Sequence, residues 1–96
     1  MSYKSQIKTV TGDTKKKLML FTLSTCIWCR KTKALLDELG VSYQYVDVDL
    51  LSENDQDEAY KGMEKYKSSS FPTIVFDDGE KVIEGYEEEK IRGMCA

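Results

Sequence analysis

Two cysteines three positions apart, in Thr25-Cys26-Ile27-Trp28-Cys29, are the residues of this chain best placed to do chemistry. An apolar run (Leu18 to Leu23) precedes them and a helical periodicity (Arg30 to Leu39) follows, so both sulfurs fall in the first turn of a helix. Unpaired amides and the positive end of the helix dipole favour a thiolate there. A second thiol one turn away completes the minimum apparatus for thiol–disulfide exchange. On this reading Cys26, the outer sulfur, is the nucleophile, and Cys29, one turn deeper, is the resolving thiol. A zinc or iron–sulfur site within one chain needs about four ligands. Only Cys95 could add a sulfur, so no metal-ligating residue is assigned. Cys95 is either a tail thiol without a role or a partner for an intermolecular disulfide.

The elements must hold those sulfurs, and the composition says what kind of body they belong to. Ninety-six residues, 41% hydrophobic and 32% charged, make one globular domain over 1–96, with 1–16 as an N-terminal extension. No apolar run approaches the roughly 18 residues that span a bilayer. The start, Met1-Ser2-Tyr3-Lys4, lacks the apolar core of a secretory signal, so the expected compartment is the cytoplasm and no membrane partner is expected. With no histidine, Cys–His catalysis is excluded. Residues 1–40 carry eight basic against three acidic residues (+5), and 41–96 six against fourteen (−8). The basic residues neither interleave with aromatics nor dominate, which argues against nucleic acid. The acidic half is either solvated surface or a steering field for a basic protein.

Along the chain, Lys4 to Val10 followed by Gly12-Asp13 predicts an edge strand turning back toward Leu18, with Lys15, Lys16 and Lys17 at the mouth of the next strand. Leu18 to Leu23 reads as a strand buried on both faces. Ser24-Thr25 can cap the following helix, in which Trp28, Thr32, Leu35, Leu36 and Leu39 form one core-facing stripe and Gly40 supplies the stop. Val41 to Val48 alternates as a second strand, parallel to the first. Ser52 with Asp55 resembles a capping box for a helix running to about Lys67, with Ala59, Tyr60, Met63 and Tyr66 as its apolar positions. Thr73 to Phe76 and Lys81 to Ile83 flank Asp78-Gly79, a tight-hairpin signal. Glu87 to Met94 closes the chain as a short helix. The result is an α/β domain, a mixed four-stranded core sheet with helices on both faces and an added N-terminal strand.

The order βαβ–α–ββ–α, the Cys26-Ile27-Trp28-Cys29 site after the first core strand, and Phe71-Pro72-Thr73 before the hairpin resemble the glutaredoxin family of the thioredoxin fold. The resemblance covers about residues 17–93, and Lys33-Ala34-Leu35-Leu36 with Gly40-Val41 make it specific. It implies a cis Phe71–Pro72 bond facing Cys26, with the Phe71 backbone pairing an incoming peptide as an extra strand. It also implies that Gly85, Tyr86 and Glu87 form the second substrate loop, and that the enzyme reduces disulfide-containing protein substrates or glutathione mixed disulfides. No cofactor is required. A monomer is expected, although some members share an iron–sulfur cluster between two chains.

Several positions depart from or colour the family pattern. Ile27 replaces a common proline. Trp28 stands where tyrosine is usual and is either packing or an aromatic lip on the substrate groove. Arg30, Lys31 and Lys33 oppose the helix dipole, so they either tune the Cys26 pKa or point to water. Leu23 replaces a lysine, and Glu84 and Glu87 are poor hosts for a glutathione carboxylate. The expected reductant is therefore glutathione, as a slow co-substrate, or thioredoxin reductase or a ferredoxin-linked reductase. Gly85-Tyr86 with Glu88-Glu89-Lys90-Ile91 is similar to the redoxins that serve ribonucleotide reductase.

Overall fold

A strand that is apolar on both faces has to be covered from both sides, and Leu18–Thr22 (β2) sets the architecture accordingly. The computed structural model describes residues 6–12 and 17–95. In chain order the elements are Lys8–Val10 (β1), β2, Ile27–Leu39 (α1), Tyr43–Asp47 (β3), Glu53–Lys65 (α2), Thr73–Phe76 (β4), Lys81–Glu84 (β5) and Glu88–Cys95 (α3). The five strands form one sheet in the order β1-β3-β2-β4-β5, so β2 is central. It runs parallel to β3 (Leu20 opposite Tyr45) and antiparallel to β4 (Leu20 opposite Ile74).

The two faces of β2 feed two cores. Leu18 and Leu20 join Ile74 and Ile83 beneath Leu35 and Leu36 of α1 and Ile91 and Met94 of α3. Phe21 joins Val46 and Val75 beneath Ala59 and Met63 of α2. Each fully buried large apolar side chain contributes about 1.5–3 kcal/mol. This is the expected α/β arrangement, a thioredoxin-like fold with α1 and α3 on one face and α2 on the other. Among the described residues no helix is long and apolar enough to cross a membrane.

Local chemistry ends the helices. Gly40 adopts φ 69°, and its amide and that of Val41 close onto the Asp37 and Leu36 carbonyls (3.1 and 3.3 Å). Ser52 accepts from the Asp55 amide at 3.3 Å, as the capping-box pattern requires. Helix α2 stops at Lys65, short of the expected Lys67, because Lys67 turns to φ 59° and the Ser68 amide reaches back to the Met63 carbonyl.

The N-terminal strand forms the expected added edge and pairs antiparallel with β3 (Thr9 opposite Gln44). Lys4, Ser5, Asp13, Lys15 and Lys16, which that reading also used, lie outside the described residues. The Asp78-Gly79 hairpin is not a two-residue turn. Phe76 and Lys81 form the last pair, and the Asp77 amide bonds to the Lys17 carbonyl at 2.9 Å. That bond prolongs pairing with the β2 side, so four residues are needed to reverse the chain. Finally, Trp28 is 50% exposed and Tyr60 45%, while Cys29 takes the core position assigned to Trp28.

Gly12 links β1 to the body of the molecule. Its amide donates to the Ser42 hydroxyl at 2.7 Å, and a Cβ built there would lie 2.5–2.7 Å from backbone atoms of Gly40 and Val41. Backbone cannot step aside as a flexible side chain can. Gly12→Ala is expected to lift β1 from the sheet and to cost about 1–3 kcal/mol. Urea unfolding with amide exchange at Lys8–Val10 checks it; unchanged exchange there defeats it.

Candidate functional site: a dithiol at the start of α1

Register brings the site to one edge of the sheet. Thr22 at the end of β2 lies opposite Asp47 at the end of β3, Phe21 opposite Thr73 at the start of β4, and Thr73 opposite Glu84 at the end of β5. The Ser24–Cys26 loop, Pro72 and Gly85 therefore share that edge. The Cys26 amide donates to the Leu23 carbonyl, and its own carbonyl accepts from the Arg30 amide, both at 3.1 Å. Cys26 is thus the N-cap of α1. Ser24 and Thr25 do not cap it. The Ser24 amide and hydroxyl both turn to the Asp49 carboxylate (2.8 and 2.5 Å).

The two thiols influence each other's ionisation but sit in opposite environments. Burial alone would raise the Cys26 thiol; the Cys29 amide, the Cys29 thiol and the Trp28 amide outweigh it and hold the thiol below its ordinary value. Cys26 makes no side-chain cap of ordinary geometry, yet those first-turn amides lie close enough to favour its anion. Cys29 is fully buried, and burial pushes its thiol up to about 12. The Leu23 amide, 3.5 Å from Sγ, and Lys33 act against that rise, while the Cys26 hydrogen bond and charge add to it.

Around the sulfurs stands an aromatic rim. Trp28 stacks on Tyr86 with centroids 5.7 Å apart and 26° between the planes. Tyr60 meets Phe71 edge-on at 6.0 Å, and Ile27 is 61% exposed. The Phe71–Pro72 bond is cis, Pro72 is buried, and its carbonyl accepts the Gly85 amide at 2.8 Å. A thiol pair at a helix start, beside a proline that precedes a sheet strand, is the arrangement against which known families can be judged. The glutaredoxin family model matches residues 18–82. The chain belongs to the glutaredoxin family.

Within that family, the chain is similar to a methanoredoxin from Methanosarcina acetivorans, with 44% identity, 88% of this chain and 90% of that one covered, and a TM-score of 0.83. A glutaredoxin from Methanosarcina mazei Go1 is 41% identical, with 94% and 87% covered and a TM-score of 0.82. The gene 56 protein of Mycobacterium phage D29 is 34% identical over 74 residues, 77% of each chain. These likenesses support thiol–disulfide oxidoreductase chemistry in general.

The other residues singled out in the sequence divide. Trp28, Phe71, Pro72, Gly85 and Tyr86 assemble at the sulfur-bearing edge. Glu87 instead forms an ion pair with Lys90 at 2.9 Å. Arg30 and Lys31 have partners other than the sulfur: the Arg30 guanidinium donates to the Ser24 carbonyl at 3.4 Å, and the Lys31 ammonium sits 4.7 Å over the Trp28 ring. The groups that lower Cys26 are the amides and thiol of its own helix turn, not these cations. Among the described residues no group of three or more Cys, Asp or Glu could hold a metal ion. Two residues were missed, Asp47 and Asp49. The available signal was two carboxylates spaced two apart, Asp47 at the end of β3 and Asp49 just beyond it.

Proposed function

We propose that the chain is a dithiol oxidoreductase that reduces protein disulfides through Cys26 and Cys29. The observation that carries this is the inequality of the two thiols, one held toward its anion at the helix cap and one buried and protonated beneath it. The Cys26 thiolate attacks a substrate sulfur, the substrate S–S bond breaks, and the departing sulfur takes up a proton. Cys29 then gives up its proton and attacks Cys26 Sγ, which releases the second substrate thiol and leaves a Cys26–Cys29 disulfide. An external reductant returns the dithiol. No bound cofactor enters either step, and a cytoplasmic setting that keeps thiols reduced suits the cycle.

The rim supports an extended polypeptide over glutathione as partner. The Trp28–Tyr86 stack, the Tyr60–Phe71 pair and the exposed Ile27 offer apolar surface at the end of the sheet that bears the dithiol. The loop expected to hold a glutathione carboxylate is poorly furnished: the Gly85 amide is taken by the Pro72 carbonyl, and Glu84 and Glu87 bring carboxylates of their own. Supplying the oxidised protein in turn with glutathione and its reductase, thioredoxin reductase, and a ferredoxin-linked reductase tests this. Glutathione is expected to be the slow arm; turnover with it faster than with both reductases sinks the reading.

A further inference from the structure

Beneath Cys29 lies a charged cluster that neither the cap nor the substrate rim uses. Lys33 is one turn beyond Cys29 on α1, the i,i+4 spacing that places side chains on one face about 5–6 Å apart at Cβ. Its ammonium is 3.1 Å from Asp47 Oδ1 and 4.0 Å over the Tyr45 ring, with the pair's side chains only 22% and 13% exposed. The same Oδ1 accepts the Thr22 hydroxyl at 2.6 Å, and that hydroxyl, wholly buried, also donates to the Val46 carbonyl at 3.1 Å. Three elements thus converge to fix one ammonium. A largely buried ion pair is a poor stability device, because desolvating both ions offsets most of their attraction. The placement of this one calls for another use.

We infer that Lys33 is a positioning residue for the resolving step, its charge held by Asp47 (itself fixed by Thr22) and Tyr45 where it favours the Cys29 thiolate as that thiol attacks Cys26. This rests on the proposed dithiol cycle. In the reduced protein the Cys26 charge opposes ionisation of Cys29. Once Cys26 is tied up in a mixed disulfide that opposition is gone, and burial is countered by the Leu23 amide and Lys33. The other charges nearby are carboxylates: Asp47 in its ion pair with Lys33, and Asp49, bonded to Ser24 and also within the field of the Lys33 ammonium. On the facing helix, Arg92 pairs with Glu88 and with Glu38 toward the far end of α1. In the step itself Cys29 loses its proton to water, the Cys26–Cys29 bond forms, the Cys26–substrate bond breaks, and the substrate sulfur leaves with the electron pair and is protonated by solvent.

The test is rapid mixing of reduced protein, in a Cys95→Ser background, with an aromatic disulfide whose thiolate is coloured. Cys26 attack releases the first equivalent at a rate proportional to reagent. Resolution by Cys29 releases the second at a rate independent of reagent. In Lys33→Met the second phase is expected to slow about tenfold and its pH midpoint to rise by about one unit, the equivalence of a one-unit shift in ionised fraction. Lys33→Arg is expected to restore it. A merely structural role for Lys33 would slow the second phase without moving its pH midpoint. A second phase in Lys33→Met whose pH midpoint is unmoved overturns the inference, whatever its rate. If the unaltered protein shows no reagent-independent phase, the dithiol cycle itself fails, a distinct result.

Discussion

Cys26→Ser is expected to bring disulfide reduction down to the uncatalysed background, while Cys29→Ser retains the first attack and stops at a protein–substrate mixed disulfide. The asymmetry follows from the environments of the two sulfurs. A serine at 26 cannot supply an anion near neutral pH, and the first-turn amides that favour the Cys26 thiolate would have nothing to stabilise. A serine at 29 leaves those amides in place, because the Cys29 and Trp28 N–H groups belong to the backbone. It removes the sulfur one turn from Cys26 that would break the intermediate, so the intermediate persists until an external thiol cleaves it. Intact mass under non-reducing conditions after a single turnover checks both variants: no adduct in the first, one substrate equivalent in the second. Equal residual activity in the two would defeat the assignment of roles.

Much of the scaffold was legible because it is written in neighbouring residues. The run Leu18–Phe21 demands cover on both faces, Gly40 alone can turn φ to 69° cheaply, and Ser52 finds its partner three residues on. The site's central pair was legible for the same reason, since Cys26 and Cys29 are a turn apart in any helix that begins between them. The failures are all cases where a distant group decides. The phase of α1 depends on Cys26 being its cap, and once Asp49 claims Ser24 the helix starts later and Cys29 rather than Trp28 faces the core. The four-residue turn after Phe76 depends on the carbonyl of Lys17. Lys33 and Asp47 are fourteen positions apart and belong to an element pair whose contact no local pattern announces. What remained hidden was thus the polar wiring across elements, the Ser24–Asp49 and Lys33–Asp47 contacts that flank the dithiol.

Between pH 6 and 8, alkylation of the reduced protein in a Cys95→Ser background is expected to consume Cys26 and spare Cys29. The Cys26 thiol lies below its ordinary 9.0 and Cys29 is pushed up to about 12. The two shifts run in opposite directions, so at these pH values the thiolate is found on Cys26. Full burial of Cys29 blocks the reagent as well. The same shifts fix how stability depends on pH. For Cys29 the folded value is the higher one, so the folded state keeps a proton that the unfolded state releases, and stability is lost as pH rises from about 9 toward about 12. Tyr43 acts in the same sense above 10: burial, then its hydrogen bond to Asp37 at 3.0 Å, keeps the phenol protonated. Cys26 has the opposite sign, its contribution being present above its unfolded value and lost as pH falls through the folded one. The reduced protein should therefore weaken on the alkaline side, by at most about 1.4 kcal/mol per pH unit for each raised group. Urea midpoints from pH 7 to 10.5 are expected to fall in the unaltered protein and to fall less steeply in Cys29→Ser and Tyr43→Phe. An alkaline slope unchanged by Cys29→Ser, or Cys29 alkylated as fast as Cys26, would mean that the inner sulfur is not the protonated, sequestered partner on which the exchange cycle depends.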